Sequence, residues 1–311
     1  MFYSPAPLHI PDGFLSIAVS VVCWVITVAT LGLAISKTNR SLGERQIPLM
    51  GVMAAFIFAA QMINYPVLGG TSGHLLGGAL AAVTLGPWAG MLVMTSVIVV
   101  QGLLFQDGGI LAMGANIMNM GLLTTVVGYG LYRMVLGKKR ATQLAVAGIA
   151  AWFSVMAGAL ATSLQLWLSG TSDLRLVIPA MLSVHAVIGL GEALVTVAAL
   201  GFILRTRPDL VGEGSESAKG SRGWVWAGGL LTLAVLLLSP FASADPDGLE
   251  RVAADLGFIN VGQSAPFSII PDYAIPLLGE TAFSTILAGV IGILVVGAII
   301  MLIGRGMKAK A

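Results

Sequence analysis

Three histidines are the only imidazoles in this chain of 311 residues, and imidazole is the commonest transition-metal ligand, suited to nickel, copper, zinc and cobalt. His9 lies in Leu8-His9-Ile10-Pro11-Asp12-Gly13, where the proline and the Asp-Gly pair predict a rigid turn just ahead of an apolar run. It reads either as a metal ligand or as part of a capped start to the first helix. His74 lies in Gly69-Gly70-Thr71-Ser72-Gly73-His74-Leu75-Leu76-Gly77-Gly78, whose glycines let the backbone bend and approach a ligand closely. His185 precedes Glu192 by seven residues, two turns along one face of an apolar segment. An ionisable residue inside such a segment is a functional candidate by default. Glu192 is therefore read either as an acid–base group or as a packing group hydrogen-bonded to His185. Gln101, Asn116, Asn119 and Gln165 either line a polar interior or hold helices together. Met91, Met94, Met113, Met118 and Met120 offer a soft-metal path or fill gaps between helices. The single cysteine, Cys23, rules out an intrachain disulfide. Two imidazoles without cysteine or a nearby carboxylate pair argue against a closed structural zinc site.

The elements that must position these residues belong to a membrane protein. Hydrophobic residues make up 57% and charged residues 10%, and the mean hydropathy is +0.94. A soluble domain carries roughly 25% charged residues to keep its surface wetted. A bilayer is thus the solvent, which excludes a soluble enzyme, a nucleic-acid binder or a disordered scaffold as a whole-chain reading. Apolar runs predict spans near 14–36, 47–64, 73–87, 88–105, 112–132, 143–168, 178–204, 223–241 and 281–303, since about 20 helical residues cross a hydrocarbon core of roughly 30 Å. The third run is short and Gly-rich, and alone it reads as re-entrant. Charge decides its count. Lys37, Arg40 and Arg45; Arg133, Lys138, Lys139 and Arg140; Arg205, Arg207, Lys219 and Arg222; and Arg305, Lys308 and Lys310 fall on one side only if nine segments cross. The positive-inside rule makes that side cytoplasmic. Asp12, Asp107, Asp173 and Asp247 then lie outside with Arg175 and Arg251.

The expected fold is all-α: a polytopic protein of the cytoplasmic membrane with nine transmembrane helices, its N-terminus outside and its C-terminus in the cytoplasm. Residues 206–222 form an extended Gly/Ser/charged stretch that reads as a flexible cytoplasmic linker. It separates a seven-span module, 1–205, from a two-span module, 223–311, with an outer loop at 242–280. Ala242-Ser243-Ala244 mimics a signal-peptide cleavage site, but cleavage would detach the second module, so the run before it is read as a span. Ala55 and Ala59 form a small-xxx-small pair, a candidate face for a neighbouring helix. Absences narrow the function. No G-x-x-x-x-G-K-[ST] is present, so ATP hydrolysis through a P-loop is excluded for this chain. No H-E-x-x-H is present, and no span carries a chain of buried acids for proton-driven exchange.

His9-Ile10-Pro11-Asp12-Gly13-Phe14-Leu15, Gly70-Thr71-Ser72-Gly73-His74-Leu75-Leu76-Gly77-Gly78 and Leu85-Gly86-Pro87-Trp88 resemble the substrate-binding M subunits of energy-coupling-factor (ECF) nickel/cobalt transporters, a class of ABC transporter. Gln106-Asp107-Gly108-Gly109 and Gly114-Ala115-Asn116-Ile117-Met118-Asn119-Met120 fit the same family. Pro246-Asp247-Gly248-Leu249-Glu250 resembles the signature of the N subunit, here fused to M. The resemblance covers essentially the whole chain. It implies a subunit that captures Ni²⁺ or Co²⁺ outside the cell, with nickel favoured, and that is not itself an enzyme. A separate transmembrane coupling (T) protein and two cytoplasmic ATPase (A) subunits would supply the power stroke. The family's ligands, carried onto this chain, are the nitrogen of Leu8, the backbone and side-chain nitrogens of His9, and the side chain of His74. Asp12, Asn116, Asn119, His185 and Glu192 are candidate polar support. Four nitrogens in a plane suit Ni(II), and no organic cofactor is implied.

The family's histidine is the second residue, whereas here it is the ninth, so in the extended chain the Leu8 nitrogen is an amide rather than an amine. Residues 1–7 are removed, or another ligand replaces the amine, or Leu8 is the initiator, read as methionine. The last is favoured because it restores the motif by moving the start alone. The outer loop is expected to touch the M module and to assist loading or lock the N-terminal segment over the site. Two other functions remain as rivals: a self-sufficient secondary transporter or channel, and a membrane enzyme using His185 and Glu192 as acid and base.

Overall fold

The computed structural model describes residues 9–41, 46–206 and 223–308. The Leu8 nitrogen, and all of the expected linker beyond its first residue, lie outside the described residues. Inside a bilayer each backbone N–H and C=O needs a partner within the protein, which favours continuous helices. Accordingly, α1 (Ile17–Ser41), α4 (Pro87–Leu104), α7 (Arg140–Leu168), α8 (Leu174–Thr206) and α11 (Ala282–Lys308) are long and apolar. With Gly223–Phe241, whose first part is α9 (Gly223–Leu236), they make six helical stretches long and apolar enough to cross a membrane among the described residues. Ile17, Val21, Val25 and Val28 of α1 are left exposed, the pattern of a surface solvated by lipid. Opposite behaviour marks the α7–α8 pair, where Gly148 of α7 is buried so close to α8 that a Cβ there would sit 2.9 Å from Val197 Cγ2. Small side chains let the two backbones approach closely.

The remaining apolar segments are shorter. α2 (Gln46–Gln61) has 16 residues, and its Ala59 is fully buried. α9 and α11 both pack on α2, so α2, which carries the Ala55/Ala59 pair, has neighbouring helices within the chain. The run near 112–132 becomes α5 (Met113–Asn116), a π-helical segment at Ile117–Leu123, and α6 (Thr124–Tyr132). π-Helical turns are rare and are frequent at functional sites.

The third apolar run departs most from a simple span. After α2 the chain forms a two-stranded antiparallel hairpin, β1 (Tyr65–Val67) and β2 (Thr71–Gly73). It then runs without regular structure through His74–Gly77 before the eight-residue α3 (Gly78–Leu85), every residue of which is buried. Four extended residues and eight helical ones cover about 25 Å, so the expected crossing is half extended and half helical. Non-helical backbone at membrane depth is tolerated only when protein groups satisfy it. Here the Glu192 carboxylate does so: Oε2 accepts from Leu76 N–H at 2.6 Å and Oε1 from Gly77 N–H at 2.9 Å. Gln61 Nε2 donates to the Leu76 carbonyl at 2.8 Å. Gly77 takes φ +83° to turn into α3, and a Cβ at Gly78 would overlap the Thr124 hydroxyl on α6. Gly86, also at positive φ, then reverses the chain into α4, whose first residue is Pro87.

Leaving a buried donor without an acceptor costs roughly 1–3 kcal/mol. Glu192→Ala strands two, so a clear fall in thermal midpoint in detergent is expected. Glu192→Gln, which sets an N–H₂ group against one of the donors, should fall between that variant and the native chain. An unchanged midpoint for Glu192→Ala would contradict this assignment.

Candidate metal centre

The segment carrying His9 has no secondary structure of its own, so other elements must hold it. Asn116 on α5 does this with both amide atoms: Oδ1 accepts from Ile10 N–H at 3.0 Å and Nδ2 donates to the Ile10 carbonyl at 3.0 Å. Asp12 reaches the loop before α5, where its carboxylate accepts from the N–H groups of Ile110 and Ala112, each at 3.0 Å. Gly109 N–H donates to Ile10 O at 2.9 Å. The approach is so close that a Cβ at Gly109 would overlap Asp12, and one at Gly108 would sit 2.9 Å from the His9 Cβ. This accounts for the paired glycines after Asp107.

His74 is placed by β2 on one side and the Glu192-held turn on the other. The two histidines meet with ring centroids 5.8 Å apart at an interplanar angle of 69°, and both are buried. His9 Nδ1 lies 3.1 Å from the Asp107 carbonyl oxygen and 3.5 Å from Asp107 Oδ1. A carbonyl only accepts, so Nδ1 is the donor in that contact. Nε2 is buried and has no hydrogen-bond partner. The rings border a cavity of about 80 Å³, also lined by Asn116, Asn119, His185 and Asp247. Among the described residues no group of three or more His, Cys, Asp or Glu side chains converges as a ready-made ligand set.

The other expected residues divide by role. Asp12 and Asn116 fix the main chain on either side of Ile10. Asn119, in the π-helical segment, pairs reciprocally with Gln165 on α7 at 2.8 Å in each direction and donates to Thr162 at 3.0 Å. It joins helices while lining the cavity. His185 lines the cavity from α8, its Nδ1 2.8 Å from the Met181 carbonyl. Glu192 holds Leu76 and Gly77, so the sequence-based pairing of Glu192 with His185 is replaced by separate backbone partners.

Sequence reasoning missed two residues, Asp107 and Tyr273. Asp107 belongs to the quoted Gln-Asp-Gly-Gly motif, and a carboxylate beside two glycines in so apolar a chain was an available signal. Tyr273 comes from the outer loop, and its hydroxyl donates to Asp107 Oδ2 at 2.6 Å. Burial, then the charge of Asp107, raises the Tyr273 phenol well above its usual range, which keeps the hydroxyl a donor.

The outer loop does touch the metal module, as the sequence predicts. Ser72 on β2 donates its N–H to Pro246 O at 2.8 Å and its hydroxyl to Asp245 O at 2.7 Å. Asp247 then starts α10 (Gly248–Asp255) with a capping box, accepting from Glu250 N–H at 2.7 Å while Glu250 Oε2 accepts from Asp247 N–H at 3.0 Å. Thus Pro-Asp-Gly-Leu-Glu is a helix start seated beside the loop bearing His74. Burial and the neighbouring Glu250 carboxylate raise the Asp247 carboxyl well above its ordinary range. Further along, Gln263 N–H donates to Asp12 O at 2.7 Å, so the loop also grips the His9 segment.

Known proteins are similar to this chain. Residues 9–210 match the family described as the cobalt uptake substrate-specific transmembrane region (CbiM), and residues 222–309 match the PDGLE domain. An Archaeoglobus fulgidus relative named "Putative fused nickel transport protein NikMN" is 36% identical over 94% of this chain and 96% of its own. The fused nickel transport protein NikMN of Rhodobacter capsulatus is 30% identical over 80% of this chain and 78% of its own. A crystal structure described as that of a transition metal transporter superposes with a TM-score of 0.58 at 36% identity, covering 63% of this chain and 92% of the other. The chain is a multi-pass membrane protein of a metal transport family, not an enzyme. Over residues 9–210 it belongs to the CbiM family, and a PDGLE domain follows in the same chain.

Proposed function

We propose that this chain is the substrate-capture subunit of an ATP-driven importer for Ni²⁺, with Co²⁺ as the alternative cargo. The observation that carries the reading is the pair of buried imidazoles, 5.8 Å apart, which border one cavity of about 80 Å³. His74 supplies a second side-chain nitrogen, and the main chain at Leu8 and His9 supplies the others. An all-nitrogen set approaching a plane favours Ni(II). An amine at Leu8 would complete the set. Nickel transport by the fused relatives supports the preference for nickel. The N-terminus and the 242–280 loop face outward in this reading, the C-terminus lies in the cytoplasm, and a T protein with two A subunits provides the energy that a chain without a P-loop lacks.

Purified protein should bind one equivalent of Ni²⁺ by calorimetry and elemental analysis, and His9→Ala and His74→Ala should each weaken it by more than about 100-fold, since losing a mere outer partner of a ligand costs roughly 10–100-fold. Intact mass on the same sample should place the N-terminus at Leu8. Binding that survives both substitutions contradicts the site and directs attention to His185. In proteoliposomes the chain alone should give no uptake, with transport appearing only when T and A subunits and ATP are added. ATP-independent uptake by the chain alone would instead establish the secondary-transporter or channel reading.

A further inference from the structure

We infer that a second cavity, between the outer domain and the His9 segment, is a loading site that takes the divalent cation together with its water shell, a proposal that rests on the metal-capture reading above. This cavity has a volume of about 400 Å³ and is bordered by the polar side chains of Gln106, Glu250, Gln263, Ser264, Ser268 and Asp272. Size separates it from the cargo cavity. An octahedral shell of about six waters, at roughly 30 Å³ each, occupies on the order of 180 Å³. The histidine-lined cavity, of about 80 Å³, admits the ion only after that shell has been shed, whereas the larger one takes ion and shell whole. The two cavities adjoin. Leu249 lines both, and Gly108, on the wall of the larger one, lies so near His9 that a Cβ there would sit 2.9 Å from the His9 Cβ.

The chemistry of the wall fits a hydrated cation. Among the described residues, its charged members are Glu250 and Asp272, both carboxylates, with no lysine or arginine. A hydrated ion is held by hydrogen bonds from its waters to such oxygens, and a cleft lined by one sign of charge concentrates counter-ions and speeds their entry. Gln263, Ser264 and Ser268 are exposed, which opens this side to the outside, while Pro11 on another wall belongs to the histidine-bearing segment. Both carboxylates are placed by main-chain bonds. Asp272 N–H donates to Phe105 O at 3.2 Å and Ile270 N–H to Leu104 O at 3.0 Å, which binds this stretch of the outer loop to the end of α4. Glu250 is fixed by the capping box of α10. Gln106 and Asp272 take φ +56° and +51°, conformations that side-chain-bearing residues rarely adopt and that cluster where ligands are clamped.

The test is the rate of Ni²⁺ binding to the purified full chain, followed by stopped flow at low salt. Asp272→Asn keeps the shape of the residue and tolerates its positive φ while removing the charge. It should slow association roughly 3- to 10-fold, leave dissociation unchanged, and lose its effect at high salt, where charges on the rim are screened. Asp255→Asn, on α10 but outside the cavity, should change none of these. Gln263→Glu adds a carboxylate to the rim and should speed association by a similar factor, which keeps the test open should Asp272→Asn fail to fold. Hexaamminecobalt(III) is an octahedral cation of comparable size whose ligands do not exchange, so it can occupy only the larger cavity. It should slow Ni²⁺ association in the native chain, and less so in Asp272→Asn. Association rates indifferent to Asp272→Asn and Gln263→Glu, equal slowing by Asp255→Asn, or native loading undisturbed by hexaamminecobalt(III) would each overturn the inference. A native chain that binds neither Ni²⁺ nor Co²⁺ would refute the metal-capture reading itself, an outcome distinct from native binding whose rate these changes leave untouched.

Discussion

The carboxylate of Glu192 is the interaction on which the rest of the centre depends. A helix crossing lipid satisfies its own backbone, but a ligand such as His74 is needed in a turn, with extended chain around it. That chain exposes donors where no water can reach them. By accepting from Leu76 and Gly77 at once, Glu192 allows the helix to start late, at Gly78, and leaves His74 above it in irregular backbone. The Glu192 side chain also sits at the N-terminal end of α3, where partial positive charge accumulates. An acidic residue inside the bilayer is thus retained for structural work.

The second histidine is positioned by a different economy of groups. Asn116 and Asp12 together account for four hydrogen bonds to or from the main chain, all binding the His9 segment to the region before and within α5. A segment without helix or sheet becomes as well fixed as one with it, because its polar atoms meet side chains and loop amides that are themselves held. The outer domain closes the arrangement from above. Its Pro246–Glu250 turn bonds β2, and Gln263 bonds Asp12, so each histidine-bearing segment is gripped by the fused module. The two modules of the chain are physically connected through those shared bonds.

Much of this was legible in the sequence, and the part that was not has a definite cause. Low charge and recurrent apolar runs revealed the helices, and in the short run after His74 every residue of Gly78–Leu85 is buried. The meeting of His9 and His74 followed from motif and parity. The half-extended form of that run was hidden, because periodicity describes side chains and says nothing of who satisfies the backbone. The partner of Glu192 was misread for the same reason: seven residues of spacing suggested His185, whereas the true acceptor geometry is set by amides more than 100 residues away in the chain. Tyr273 was out of reach of any local pattern, since its role arises only when a loop from the second module is docked on α4. Ala55 and Ala59, read as a close-packing face for a neighbouring helix, lie on α2, against which both α9 and α11 pack.

The central claim is that two imidazoles and main-chain nitrogen form the cargo site. X-ray absorption of the Ni²⁺-loaded protein at the nickel edge tests it most directly. The account predicts a first shell of nitrogen alone, close to planar, with outer scattering from two imidazole rings. A shell containing sulfur, a six-coordinate oxygen-rich shell, or scattering from fewer than two rings would contradict it.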